Sequence, residues 1–550
     1  MFRPSVVFFN KAPSYKYLVS VLILGNLWMQ NPTMLDKKSN WADNVPRMSQ
    51  KKSKRETTGF PVNYNTDRND TGDEKIKKNS GYNSIAAKSI FHFLTLFVLG
   101  LILWGLLWCA FGDNWRWDGP WFRLAAVAVV AWSSGQLLHG FTTLPPLLAA
   151  LLTGILARNF NILDMRDFIE IDAFLRKVYP VLILGKASLG WDVSYIRENW
   201  QQISVLGVIP WAAEVVTVMI CTNLLLGFPW IWGLLLGSLY ASVSCAIVMP
   251  SVCRISASKS GARNWAQLIC TAGGTDTALS VGVYGLIYSY IFVEVDDTYK
   301  YIKAGSTLLV GVTVGVIWGS LAGLLPHTLD FYVAEMRVLF VLLGGLFGNF
   351  FSTQIGWGGV GGVAVLACNA TAATFWRRDG WKLNNNTAST AYRVLYAAAE
   401  PMVFAYSATF IVLNSATWNT FLYGLAILAI CLCVRLTVTA LVCWDMTLKE
   451  RLFVCCTWTP KSIVEAVLCP VATNTLLMKN NHDKEQLEYA EDLMRLIVQA
   501  ILITTPIGFL LTNHLGSWLL KKTDNESEID PRAPCRKSFN EGSQIEDVKL

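Results

Sequence analysis

A chain of 550 residues that is 53% hydrophobic and only 15% charged is not a soluble globular domain, which carries far more charge over such a length. Mean hydropathy is +0.38. The formal charge of +7 sits largely in tails and loops, so it speaks to membrane topology and not to a nucleic-acid partner.

In chain order, residues 1–88 read as a polar, lysine-containing N-terminal region, expected to be cytoplasmic and disordered. Its one apolar run, 17–29, is short for a span and closer to a signal-like or peripheral segment. Residues 89–520 form an apolar domain, and 521–550 a second polar tail. A helix needs about 20 apolar residues to cross a bilayer. Fourteen spans are predicted, near 89–111, 121–141, 144–157, 174–190, 203–226, 229–250, 265–292, 302–325, 337–354, 357–375, 392–413, 421–443, 452–477 and 492–518. The 22 Trp fit this reading, because Trp favours membrane interfaces. The 13 Cys lie mostly inside apolar spans, and the five His are scattered, so neither set indicates a disulfide framework or a zinc site.

Loop charges orient the chain. With fourteen spans both tails share one side, and both are basic. Loops assigned to that side carry Arg254, Lys259 and Arg263, then Arg377, Arg378 and Lys382, then Lys449 and Arg451. The opposite side carries Glu294, Asp296 and Asp297, and the acidic run Asp483, Glu485, Glu488 and Glu491. Positive loops stay in the cytoplasm, so both termini are expected there.

An internal repeat is also legible. SVSCAIVMPSV, Ser242–Val252, resembles TWTPKSIVEAV, Thr457–Val467, setting Ser244 on Thr459 and Cys245 on Pro460. Each segment lies in the fifth of six spans, within 121–292 and 337–518. The single span between the sets, 302–325, inverts the second against the first. The fold class expected is all-α and polytopic, with two inverted six-helix repeats and crossed broken helices at Ser244–Cys245 and Pro460–Lys461.

Charge inside a span is costly and marks a functional candidate. Five such residues stand out: Lys186, Glu214, Asp276, Arg435 and Lys461. Asp276 lies in TAGGTDTALSV, with small residues before it and Thr275 and Thr277 beside it. A carboxylate with hydroxyls and backbone carbonyls is a hard-oxygen site for a small cation. Such a group holds a proton or a cation but not both, which is the core of antiport; the bland alternative is an Asp paired with a buried base. Glu214 and Arg435 fall on the fourth span of each repeat and are expected to form a structural ion pair. Lys461, after Pro460, either compensates the C-terminal end of a half-helix or repels cations from the empty site; the plain alternative is snorkelling. Lys186, near a span end, reads as a snorkelling lysine.

TWTPKSIVEAV, TLKERLF at 447–453, Arg435, LPPLLAALLTGILARN at 144–159 and ITTPIGFLL at 503–511 resemble the animal sodium/hydrogen exchanger-like proteins, the NHA-type members of the monovalent cation/proton antiporter superfamily. The resemblance covers about 89–520. It implies a homodimer of fourteen-span protomers that exchanges sodium, lithium or potassium for protons by an elevator-like movement, with no cofactor. Glu214, Arg435 and Lys461 match family positions. The family's two consecutive aspartates fall on Asp276 and Thr277, its Ser-Pro on Ser244–Cys245, and a further glutamate on Thr409. The ion site has therefore lost at least one carboxylate, unless a one-residue slip makes Thr275–Asp276 stand for the Asn-Asp pair of electroneutral exchangers.

Two readings follow: an antiporter with an altered site built on Asp276, Thr277, Thr275 and Ser244, or a transport-inactive homologue serving as a regulatory or dimerising subunit. A polytopic membrane enzyme is a third class, but the spans show no nucleophile or His/Asp/Glu set to support one.

Overall fold

The computed structural model describes residues 76–142, 144–258, 264–292, 297–383, 386–412, 418–461, 463–479 and 484–520. The apolar run 17–29, most of the N-terminal region and the tail 521–550 lie outside the described residues.

The described chain is all-helical. Its helices are α1 (Ile76–Phe111), α2 (Pro120–Thr142), α3 (Leu147–Asn159), α4 (Ile169–Ser188), α5 (Trp200–Leu226), α6 (Trp230–Tyr240), α7 (Cys245–Ser258) and α8 (Trp265–Phe292). The second half holds α9 (Asp297–Leu324), α10 (Val333–Gln354), α11 (Val360–Arg378), α12 (Thr387–Ala408), α13 (Trp418–Val442), α14 (Leu448–Thr457), α15 (Ile463–Leu468), α16 (Pro470–Met478) and α17 (Lys484–Leu510). Helix α1 begins inside the stretch read as a polar tail, because a helix need not stop where its apolar window does.

Among the described residues seven helices are long and apolar enough to cross a membrane by length and composition, and four shorter apolar helices accompany them. Two breaks in the backbone account for shorter pieces, between α6 and α7 and between α14 and α15. Helices α4, α8, α11 and α12 fall in neither set, although each is long. Helix α4 carries several charged residues, α8, α11 and α12 are rich in small residues such as Gly, Ala, Ser and Thr, and all four bury most of their length against protein. A helix shielded from lipid does not need a lipid-soluble surface.

Packing falls into two groups. Helices α2, α3, α4, α10, α11 and α12 pack among themselves, with α9 laid along α11. Glycines 311, 315, 319 and 323 make that approach possible, since a Cβ at 315 or 319 would collide with the carbonyl oxygens of Ala364 or Cys368. The second group is α5, α6, α7, α8, α13, α14, α15, α16 and α17. The groups meet where α15 and α16 touch α4, where α15 touches α12, and where α8 touches α11.

The packing pattern is paired. Helix α3 lies on α12 as α4 lies on α11, α2 on α12 as α10 on α4, and α5 on α8 as α13 on α17; α5 and α13 also pack on each other.

Candidate functional site

The two backbone breaks touch. Residues 241–244 and 458–461 leave the helical path, and Val243 and Lys461 form an isolated antiparallel bridge. The Ser244 amide donates to the Pro460 carbonyl at 2.9 Å. Pro460 has no amide and cannot continue a helix, which fixes the second break.

Breaking a helix in a bilayer strands amides and carbonyls that lipid cannot satisfy. Side chains take up that role here. The Val243 amide donates to Asp276 Oδ1 at 3.1 Å. The Lys461 amide donates to Thr504 Oγ1 at 3.0 Å. Arg435 Nη1 donates to the carbonyl of Ala241, the first residue of the first break.

Charge converges on the same point. Arg435, from the middle of α13, reaches two carboxylates: Nη1 to Glu214 Oε2 on α5 at 2.5 Å and Nη2 to Asp276 Oδ2 on α8 at 2.6 Å. Lys461 Nζ bonds the other Glu214 oxygen and sits 4.8 Å from the centre of the Tyr240 ring. Asp276, Glu214 and Arg435 are 0% exposed and Lys461 1%. Two acids and two bases thus form one neutral cluster, alternating in sign from Asp276 to Lys461. In a low-dielectric interior such an arrangement holds only if each charge is compensated and hydrogen-bonded.

The other candidate residues surround this cluster. Thr275 and Thr277 are half-buried on α8, but their hydroxyls donate to their own helix, to the carbonyls of Thr271 and Gly273, both at 2.9 Å. They do not point their protons at the Asp276 carboxylate. Ser244 lies in the first break with its Oγ buried and without a hydrogen bond, as do Ser242 and, on α17, Thr505. Cys245 opens α7. Thr409, where the family's glutamate would fall, is buried at the end of α12, its hydroxyl donating to Tyr406 O.

Two readings of lysines change. Lys461 does not snorkel: it is buried and its ammonium pairs with Glu214. Lys186 does not run outward either: its ammonium sits 3.8 Å from the centre of the Tyr396 ring, whose hydroxyl donates to Glu400 at 2.9 Å. Glu400, inside the span predicted at 392–413, and Glu465, inside 452–477 and fully buried, escaped the sequence reading. The same rule that singled out Asp276, charge within a span, finds both. Arg176, near the start of the span predicted at 174–190, and Asp172, just before that span, are both buried.

These features define a class: a multi-pass helical membrane protein whose two interrupted helices meet at a buried, charge-compensated site. The family described as "Sodium/hydrogen exchanger, transmembrane" matches residues 124–514, and the chain belongs to it. Among named relatives, sodium/hydrogen exchanger 9B2 of Homo sapiens is 27% identical over 441 residues, 78% of this chain and 80% of that protein. Sodium/hydrogen exchanger 9B1 of Macaca fascicularis is 26% identical over 442 residues, 78% of this chain and 85% of that protein. Among solved structures, the sodium proton antiporter MjNhaP1 from Methanocaldococcus jannaschii at pH 8 shares the fold, with a TM-score of 0.59 at 18% identity, covering 72% of this chain and 97% of that one.

Proposed function

We propose that the protein is a monovalent cation/proton antiporter with an altered ion site, and that Asp276 is the carboxylate that carries both the cation and the proton. The observation that carries this reading is the place of Asp276: fully buried, at the crossing of two broken helices, with one oxygen on a backbone amide and the other on Arg435. A desolvated carboxylate there must be compensated at all times. Arg435 does so in the state seen here. A sodium, lithium or potassium ion, or a proton, does so once the guanidinium withdraws onto Glu214. Occupancy by either excludes the other, which couples the two fluxes. The unbonded hydroxyls of Ser242 and Ser244, and the acceptor lone pairs of Thr275 and Thr277, supply neutral oxygens near the carboxylate. Thr277, where the family has a second aspartate, adds no charge, so at most one proton moves per ion.

The paired packing supports two inverted six-helix repeats, α2–α8 and α10–α17, joined by α9, each counted with its broken helix as one span. With α1 this gives fourteen spans. The sidedness of loop charge then puts both tails in the cytoplasm, 1–88 and 521–550 flanking the transport domain 89–520. Movement of the α5–α8 and α13–α17 group against the rest, in a homodimer, is the elevator step.

The test is cation-driven proton flux in proteoliposomes. Wild type should exchange, and Asp276→Asn should fall to background while the protein still purifies as a folded dimer. Robust exchange by Asp276→Asn would sink the ion-site assignment. One observation favours a second reading, a transport-inactive regulatory or dimerising subunit: the four charges of the cluster neutralise each other and leave no carboxylate over. Absence of wild-type flux, with flux created by Thr277→Asp, would decide for it.

A further inference from the structure

Helix α8 carries Asp276 and also lines the seam between the two helix groups. Its seam face runs through Gly274, Val281, Gly282 and Gly285. At Gly285 the backbones of α8 and α11 nearly touch, since a Cβ there would fall 2.2 Å from the Gly359 nitrogen. At Gly282 the neighbours are Leu308 and Val363, and Val281 lies on Gly362. About three turns away, roughly 16 Å along the axis, Gly274 meets the indole of Trp191 instead. A Cβ at 274 would fall 2.1 Å from Cζ2 and 2.8 Å from Cε2 of that ring. Only a residue with no side chain can seat the indole there.

Trp191 is held by the first group. The amides of Leu189, Gly190 and Trp191 bond back to the last turn of α4, to the carbonyls of Gly185, Ala187 and Ser188, at 3.2, 3.3 and 3.1 Å. On its other side Asp192 pairs with Arg377, at the end of α11, at 2.6 Å. The other Asp192 oxygen accepts from the Ser194 amide and caps the short helix Val193–Glu198. The half-buried ring is thus anchored to α4 and α11, yet it rests on α8. Two more side chains of that α8 face close around it. Gln267 Nε2 donates to the Gly190 carbonyl at 3.2 Å. Cys270, one turn before Gly274, sets its thiol against the indole nitrogen without a hydrogen bond of normal geometry.

We propose that Trp191 sets the register of α8, and with it of Asp276, against the first helix group, and that the ring leaves Gly274 each time α8 moves. Gly274 and Asp276 lie two residues apart on one helix, so the position of the carboxylate follows the seat of the ring. Displacing α8 by one turn in either direction brings Cys270 or Ala278 under the indole, and neither leaves the room that Gly274 does. Close-packed surfaces of this kind have discrete arrangements and do not deform continuously. The seated ring therefore favours the state seen here, because a state gains from the contacts made only in it. Trp191 acts through α8 and not on the ion, which makes it a positioning residue. This inference rests on the alternating-access reading above.

Hydrogen exchange on the purified full chain reads the register without transport. The informative stretch is 357–366, which faces Gly282 and Gly285 at the far end of the seam face. Trp191→Ala should speed amide exchange there by on the order of tenfold, the size of a typical coupling between distant sites. Trp191→Phe should recover part of the effect. Gly274→Ala keeps the ring but fills its seat, so it should speed exchange in the same stretch and lower thermal stability. Adding Trp191→Ala to Gly274→Ala should restore stability toward wild type, because the new methyl then meets no ring. A ring that only packs locally predicts no change at 357–366. Unchanged exchange there in Trp191→Ala would overturn the proposal, whether or not Gly274→Ala folds, and so would additive stability losses in the double variant. Absence of cation-driven flux in wild type, with the exchange shifts intact, would instead remove the antiport reading and leave the register. Normal flux with no exchange shift would remove the register alone.

Discussion

Two buried arginines, Arg435 and Arg176, solve the same problem in different ways. Each is a permanent charge with almost no exposure. Arg435 is held by two carboxylates from α5 and α8 and by the Ala241 carbonyl at the break, all within one group of helices. Arg176 is held by one carboxylate of its own helix, and its remaining bonds reach α12 and, across the seam, α15. The first arrangement keeps its charges compensated even if the helix groups move relative to each other. The second is made only while they stay in register. A buried guanidinium with partners on one body holds that body together, whereas one with partners on two bodies records their relative position.

Mutation should separate the two. The largest loss is expected at Arg435. Arg435→Gln leaves both Glu214 and Asp276 short of a partner, and removal of one member of a buried pair costs about 3–5 kcal/mol. Thermal unfolding in detergent should show a large drop or failure to purify. Next comes Glu214→Gln, which takes the carboxylate from Lys461 but strands Arg435 only in part, since Asp276 still holds Arg435. Combined with Arg435→Gln it should destabilise less than the two losses added, because the residues share one network. Additive losses would show that the charges act independently and would undo the single-cluster description. Arg176→Gln should cost less, about 1–3 kcal/mol, since Asp172 keeps Asn474. A loss as large as that of Arg435→Gln would erase the distinction between the two arginines. The smallest effect belongs to Asn474→Ala, about 1 kcal/mol in thermal stability, with Arg176 still on Asp172.

Much of this was legible in the residues. Apolar length announced the helices, and the similarity of 242–252 to 457–467 marked the two segments that the structure shows interrupted and in contact. The sequence reading paired Glu214 with Arg435 from their equivalent positions. Arg435 also binds Asp276, and Lys461 also binds Glu214, and neither contact has a local signature. Lys461 was open to several readings because a lysine after a proline looks alike whether it faces a helix end, an interface or an acid. Arg176 lies near the start of the span predicted at 174–190, and hydropathy treats a charge there as a boundary. Helix α4 tolerates Asp172 and Arg176 because they neutralise each other one turn apart, out of lipid.

The sequence by itself determined that the chain is a helical membrane protein and which few charges it buries, because the cost of placing charge in an apolar stretch is a local property of the chain. Only the tertiary structure decided which charges meet. Arg435 and Asp276 are 159 residues apart, and Lys461 and Glu214 are 247 apart. Each pair is joined only where the breaks at 241–244 and 458–461 meet, and that meeting is set by helix packing across the whole bundle. Compensation of a buried charge depends on distances of a few ångströms, and those exist only once the bundle has closed.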